Sequence, residues 1–551
     1  MATSIQSPIF ELSDRFVSGL AELSPTTATS LGVAGSDDRL DDFSLEGADA
    51  KLQLTKNALA ELQTTRPENE IERVAKAVMQ ERLESQLTLA NAREDQIRWN
   101  VIRSPAMTIR QVFEMMSYDT DEQVQNITAR LNSVSDALAS WVSCVNDLAA
   151  DAKVTSRRQT MGVALQLETF ARGAYAGFAK RIDPTGRHPA LHEAGSKADL
   201  ASGKTAQWLR DEYAPRSNPD DPVGEERYAV WARNHTGAQL DLRATYEWGL
   251  EDLARINERM WEVASRIKPG AKSLREVADH LDADPQYLVK GADTLIERLK
   301  LFTQAAVAQM EGVHFDIDDR IKFCDARLAP EGSAAAPYYQ RPSEDLTRPG
   351  TTWFPTLGKS EFSWWKMPSI WYHEAVPGHH LQIATATLEK DRLSRFQRTF
   401  GNSSGYVEGW ALYAERLMDE LGAFDDPGVE MGYLSAQAMR AVRVVVDIGM
   451  HLGYEDGDGN AWNAQSAREL MVNQALLDKT FANSEVDRYL GMPGQAISYK
   501  VGERVWLRTR DETRERLGAE FSLKKFHSHA LELGPMGLDP LKVELSHWDG
   551  L

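Results

Sequence analysis

The sequence predicts a mainly α fold: a large helical body with a deep central cleft and a small β element. Three observations carry this expectation. Apolar residues recur at three- and four-residue steps through most of the chain. Strand-like alternation is scarce. Pro and Gly gather in short breaks and not in long linkers.

In chain order, helical periodicity is seen at Val74 to Ala92, at Ile127 to Ala150 and at Arg158 to Ala179. It is clearest from Glu247 to Ile267, where charges fill the positions between the apolar stripe. Loops are expected at Arg181 to Pro189, Pro215 to Pro222 and Ala329 to Pro342, where Pro and Gly are dense. Strands are expected at Gly312 to Ile317 and within Pro337 to Phe354, a segment rich in Pro, Tyr and Thr. Ser273 to Lys290 has the rhythm of a helix-turn-helix; it is expected to be an ordinary helix pair capped by Ser273 and turned at Asp284-Pro285. There are no repeats or low-complexity tracts. The expected organisation is one helical catalytic domain over residues 1–551, divisible into a scaffold lobe (1–310) and a lobe carrying the metal site and cleft (311–551).

Composition narrows the function. The chain has 551 residues, 42% hydrophobic and 26% charged, the proportions of a folded globular protein. Its net charge of −20 repels phosphate backbones and anionic lipid heads, so neither nucleic acid nor a membrane is an expected partner. Two cysteines, Cys144 and Cys324, make no disulfide framework and are expected to be buried thiols. The N-terminus lacks a basic start followed by an apolar core, and the most apolar stretch, AVRVVVDIGM, carries too many charges to span a bilayer. A cytoplasmic location is the expectation.

The chemistry sits in WYHEAVPGHHLQ, Trp371 to Gln382. A His followed at once by Glu, with more histidines one to two turns on, is a metallopeptidase arrangement. Imidazoles bind zinc as neutral donors, and the adjacent Glu can take a proton without ligating. The familiar H-E-x-x-H spacing stacks two histidines one turn apart. Here the following histidines are His379 and His380. On a regular helix His379 would lie well off the His373 face, while His380 would lie on it but roughly 10 Å along the axis. Neither suits one ion. Pro377-Gly378 is expected to kink the chain and swing His379 toward His373, leaving His380 to line the site or pack beside it. The third ligand is expected from YVEGWALYAER: Glu408 as ligand, with Glu415 on the same helical face orienting a histidine. In MRAVRVVVDIGMH, Arg440, Arg443, Asp447 and His451 form a polar stripe on an apolar helix. Arg443 and Asp447 are expected to pair beside the site, and His451 to contact substrate or oxyanion. Tyr499, opening a helix after the Pro493-Gly494 turn, is a candidate donor to that oxyanion.

HEAVPGHHLQ, EGWALYAE, RVVVDIGMH and PGQAISYKVGE together resemble the bacterial domain-of-unknown-function 885 family, itself similar to gluzincin-type zinc metallopeptidases such as thimet oligopeptidase. LSPTTATSLGV and PYYQRPSEDLTRPGTTWF resemble it as well. The resemblance implies a helical body with the metal on the wall of a channel. It implies one Zn2+ on His373, His379 and Glu408, with Glu374 as general base, Tyr499 at the transition state and the Tyr338 to Phe354 segment pairing with substrate backbone. The expected function is hydrolysis of a peptide or small amide. The alternative is a degenerate, ligand-binding chain on the same scaffold.

Overall fold

The computed structural model describes residues 7–330 and 336–550. The chain is mainly α-helical with two small sheets. It divides into two compact units. One holds the described residues up to Pro67 and Leu83–Pro222; the other holds Glu68–Arg82 and the described chain from Val223 on. The division therefore falls near residue 222 and not at 310. The Leu242–Ile267 helix packs along Pro427–Leu452, and Ala292–Met310 backs the strand Cys324–Leu328, so both belong with the C-terminal half.

In the first unit the Pro189–Trp208 helix is central, packed by Arg157–Ala171, Ala174–Ile182 and Asp121–Asn132. Its core includes Trp99, Trp141, Phe113 and Tyr175. Two stretches that read as single helices are pairs. The chain resets at Ser133 between Asp121–Asn132 and Val134–Ala150, and at Gly173 between Arg157–Ala171 and Ala174–Ile182.

The second unit carries the strands. β1 (Leu288–Lys290) pairs antiparallel with β5 (Glu361–Ser363), Val289 opposite Phe362. β2 (Cys324–Leu328), β3 (Tyr338–Gln340) and β4 (Gly350–Phe354) form a sheet in the order β2-β4-β3. β2 and β4 are parallel, with Ala326 opposite Thr352; β3 and β4 are antiparallel, with Tyr339 opposite Thr352. The Tyr- and Thr-rich segment thus supplies two strands, as its composition predicts. Gly312 to Ile317 does not form one. The chain curls back on the preceding helix end, with the Phe315 amide donating to the Met310 carbonyl (3.1 Å) and the Gly312 amide to the Phe315 carbonyl (2.8 Å). Its alternation reflects a turn that tucks Phe315 and Ile317 inward and leaves Val313 in solvent. Ser273 caps Leu274–Ala283, its hydroxyl accepting from the Glu276 amide, and Asp284-Pro285 turns the chain. The next element is β1 and not a second helix, because Leu288 to Lys290 finds β5 as a partner. Within the expected loop from Ala329 to Pro342, 338–340 is β3 and 331–335 lie outside the described residues.

Cys144 and Cys324 are free and buried. Among the described residues no helix is long and apolar enough to cross a membrane.

Candidate metal centre

Two short helices meet end to end at the site. Met367–Glu374 stops where the Ala375 amide donates to the Trp371 carbonyl (2.8 Å), and His379–Leu388 begins four residues later. The Val376–Pro377 peptide between them is cis. Gly378 is required by space: a β-carbon there would lie 2.0 Å from the His373 carbonyl oxygen and 2.3 Å from that of Tyr372. Trp410, fully buried, fastens the turn, its Nε1 donating to the carbonyls of Pro377 (2.9 Å) and Gly378 (3.2 Å). The break that Pro377-Gly378 announces in the sequence is thus a complete one, and it faces the rings of His373 and His379 edge to face with centroids 4.6 Å apart.

Glu408 reaches the pair from the Ser404–Glu420 helix. Its Oε2 lies 3.3 Å from His373 Nε2 and 3.5 Å from His379 Nε2. One donor atom from each of the three residues falls within 4.8 Å of the others. Ligands about 2.0–2.2 Å from a tetrahedral zinc stand roughly 3.3–3.5 Å apart. The two Glu408 separations match that edge, and two imidazoles with one carboxylate are a donor set suited to zinc. The Nδ1 of His379 is buried without a hydrogen-bond partner.

Two turns after Glu408, Glu415 is fully buried and holds the far side of His373, with Oε1 2.8 Å from Nδ1. That leaves Nε2 to face Glu408, the arrangement by which an outer carboxylate fixes a ligating imidazole. Ser369 donates to Glu415 Oε2, and Arg440 lies 3.4 Å from Oε1. His380 turns away: its Nε2 is 2.7 Å from the Ile321 carbonyl and its Nδ1 3.0 Å from the Tyr339 hydroxyl on β3. It joins the histidine helix to the sheet, and His379, not His380, stands with His373 and Glu408.

The electrostatics favour positive charge in the cluster. Burial alone would raise the pKa of Glu408, but hydrogen bonds and attraction from His373 and His379 hold it well below the usual carboxylate range. Burial opposes the charged form of His373, yet Glu408 and Glu415 raise its pKa. Glu415 is lowered despite its burial by Arg440, His373 and Ser369. Glu374 behaves oppositely. Burial pushes it up to about 8, against the attraction of His379 and with added repulsion from Glu408. Its carboxylate has no hydrogen-bond or ion-pair partner among the described residues. A carboxyl group left buried without a partner beside a polar cluster is characteristic of a functional position.

Tyr499 opens the Ser498–Leu517 helix; its ring lies 6.5 Å from that of His373, tilted by 19°. Burial and then Glu408 raise its pKa, keeping the phenol protonated as a donor. This helix crosses Ser404–Glu420 where Gly409 faces Gly502.

The profile of the bacterial family of unknown function DUF885 matches residues 25–545. The chain belongs to that family. A crystal structure of a candidate lipoprotein from Colwellia psychrerythraea is similar to this DUF885 chain with a TM-score of 0.82 and 21% identity, covering 98% of both chains. A structure of a candidate lipoprotein of unknown function from Shewanella oneidensis has a TM-score of 0.78 and 18% identity, covering 98% of this chain and 100% of its own. At such identities the likeness shows a shared fold. No curated protein matches the sequence.

In this DUF885 chain the polar stripe of the Pro427–Leu452 helix departs from expectation. Arg443 does not pair with Asp447. Its guanidinium donates to Glu485 (2.7 Å) and to the Tyr489 hydroxyl (2.9 Å) and lies 4.5 Å over the Tyr499 ring. Asp447 faces another way, accepting from the Tyr228 hydroxyl (2.7 Å) and the Gly494 amide (2.9 Å). Residues four apart share a face but differ in depth and neighbours, and here each found a partner across the helix interface. His451 is not brought to the cluster either. Its Nε2 is 3.1 Å from the Tyr489 carbonyl and its ring packs on Tyr228, so the nitrogen that would serve an oxyanion is engaged.

Sequence reasoning missed Ser369, Trp410, Glu485 and Tyr489. Ser369 had a signal, lying one turn before His373 on the same helix face. Glu485 and Tyr489 had one too, an i, i+4 polar pair on the Lys479–Gly491 helix.

Proposed function

We propose that this chain is a zinc-dependent hydrolase of metallopeptidase type that cleaves a peptide or related small amide bond. What supports this is the convergence of His373, His379 and Glu408, with both Glu408 separations at a tetrahedral edge and the partnerless carboxyl of Glu374 next in sequence to His373. The likeness to gluzincin-type peptidases points the same way through the His-Glu pair and the distant Glu.

His373 and His379 would hold the metal as neutral imidazoles and Glu408 as a carboxylate. Zinc held there supplies Lewis-acid chemistry at an amide carbonyl. Glu374 is the proton carrier: a buried carboxylate takes a proton from the attacking water and returns it to the leaving amine. Its raised pKa makes it a stronger base for the proton of the attacking water. Tyr499 presents its O–H to the developing oxyanion, and Arg443 under its ring orients it. Glu415 holds the His373 ring and so acts on position alone.

Purified chain should carry about one zinc, lost in His373→Ala. Screening a quenched fluorescent peptide library with zinc-loaded chain identifies a substrate. Glu374→Gln should retain the metal and lose turnover by at least a hundredfold or so. Wild-type rates from Glu374→Gln would overturn the mechanism, and a zinc-loaded chain inert to every amide would favour a ligand-binding role.

A cytoplasmic location is proposed as well, supported by two buried free thiols. The candidate lipoproteins that share the fold make membrane attachment the alternative, and fractionation of cells producing the full natural chain decides between them.

A further inference from the structure

A cavity of about 430 Å³ opens among the Leu242–Ile267, Ser404–Glu420, Pro427–Leu452 and Ser498–Leu517 helices, and none of the metal-centre residues lines it. Its size suits a small molecule. Trp248, Ile256, Leu434 and Leu507 give it apolar walls.

The polar groups of its lining are unevenly satisfied. Lys500 is buried, its ammonium donating to Gln437 Oε1 (2.7 Å) and Glu503 (2.6 Å) and lying 3.1 Å from Asp252. One cation thus compensates the two lining carboxylates, and Arg255 adds a second bond to Asp252. The same lysine fixes the amide of Gln437: with its oxygen on an ammonium, its Nε2 is left as a donor. Gln437 is 3% exposed and that nitrogen finds no acceptor. Arg416 is compensated by Glu420, 3.7 Å from its Nε, and by Asp419 at 3.9 Å. Arg504 lies over the Trp248 ring at 4.5 Å and has no carboxylate within ion-pair distance among the described residues. Arg508 beside it is already paired with Glu512.

Asp252 Oδ2 also lacks a hydrogen bond, but the Lys500 ammonium 3.1 Å away compensates it. What remains is a buried amide donor and an unpaired guanidinium stacked on an aromatic wall. Buried donors without acceptors are costly and are retained where a ligand completes them. We propose that this cavity binds a small organic carboxylate, its acid group on Gln437 Nε2 and Arg504 and its apolar body against Trp248 and Leu434. A guanidinium and an amide give two directed N–H groups to a planar carboxylate. The apolar walls distinguish such a ligand from a bare inorganic anion. The site stands apart from the metal chemistry and does not depend on it.

The test is calorimetric titration of metal-free full-length chain, so that no carboxylate can bind through zinc. The probes are N-acetylphenylalanine, its uncharged amide and inorganic phosphate. The acid should bind, and the amide and phosphate should bind at least roughly tenfold more weakly. Arg504→Gln is an exposed change that leaves the fold intact, and it should weaken the acid about tenfold. Gln437→Met, which keeps the volume, should do the same; it also removes an acceptor of the buried Lys500 ammonium, so its melting temperature should fall and its affinity is read well below that temperature. Equal binding of acid and amide, phosphate as tight as the acid, wild-type affinity in Arg504→Gln, or no acid binding at about 10 mM would each overturn the proposal.

Discussion

Replacing Gly502 with alanine tests how the Glu408 helix is held against the Tyr499 helix. A β-carbon at 502 would lie 2.2 Å from the Gly405 carbonyl oxygen and 2.5 Å from the Gly409 Cα. Carbon atoms in ordinary contact stand about 3.5–4.0 Å apart, so the helices must part by roughly 1 Å or more. Both obstacles are backbone of a buried helix and cannot rotate aside. Overpacking of this kind costs about 3 kcal/mol at the upper end of its usual range. Alanine is a better helix former than glycine by about 1 kcal/mol, which offsets part of that. The net expectation is about 2 kcal/mol of destabilisation, or a drop in Tm of roughly 4 °C at about 2 °C per kcal/mol. Glu408 precedes Gly409, so parting the helices also stretches the 3.3 Å and 3.5 Å separations at the histidines. Zinc affinity should fall by at least about tenfold, or ~1.4 kcal/mol. Scanning calorimetry with and without zinc, joined to competition against a chromophoric chelator, measures both effects. Gly177→Ala is the control: it is also helical, nothing lies within 4 Å of its β-carbon, and it should be neutral or slightly stabilising. If Gly502→Ala matches wild type in both melting and zinc affinity, the glycine contact does not set the ligand geometry.

Three further outcomes are expected. Glu415→Gln keeps shape but removes the charge on His373 Nδ1, so zinc affinity should fall about 10–100-fold with folding preserved; unchanged affinity in the chelator assay would show that Glu415 does not orient the ligand. Trp410→Phe deletes the two bonds to the Pro377 and Gly378 carbonyls and should cost about 1–2 kcal/mol in urea unfolding, with weaker zinc binding; a silent substitution would mean the turn holds itself. His527 is buried with its neutral ring satisfied by Tyr413 (2.7 Å) and the His314 carbonyl (3.0 Å), and burial lowers its pKa to about 3. Because the unfolded chain then binds a proton that the folded one refuses, the stability His527 permits is complete above pH about 6.5 and is lost as pH falls toward 3. At about 1.4 kcal/mol per pH unit the loss reaches roughly 3 kcal/mol by pH 4.5. His527→Gln should flatten that stretch of the stability–pH curve, and parallel curves would refute the assignment.

How far the sequence could be read depended on whether a feature is local. The helical stripes are local, and so is the break at Pro377-Gly378, where the residue types themselves forbid a continuous helix. The convergence of His373, His379 and Glu408 was legible because few residue types suit a metal and the spacing excludes a regular helix. The partner of Arg443 was not legible. Periodicity gives the face of a helix but not what lies across it, and Glu485 is 42 residues further along. Gly312 to Ile317 alternates like a strand because a turn that buries every second side chain produces the same pattern. Gly405, Gly409 and Gly502 look in sequence like flexible or neutral residues. Their role as a contact face exists only once two distant helices are laid together.

That contact explains why the departure from H-E-x-x-H does not scatter the donors. With H-E-x-x-H a single helix fixes both imidazoles, and only the third ligand has to be positioned from elsewhere. Here His373 and His379 belong to different helices, so their separation must be set from outside. Ser404–Glu420 does this with three side chains spread over about two turns. Glu408 meets both Nε2 atoms, Trp410 holds the two carbonyls of the intervening turn, and Glu415 fixes the His373 ring from behind. The reference frame has moved from the histidine helix to the glutamate helix. Substitutions in Ser404–Glu420 that touch no ligand, Trp410→Phe above all, should therefore disturb metal binding more than equal losses of stability placed in Met367–Glu374. Comparing zinc affinity at matched unfolding free energy for variants of the two helices tests this, and equal sensitivity would return the frame to the histidines.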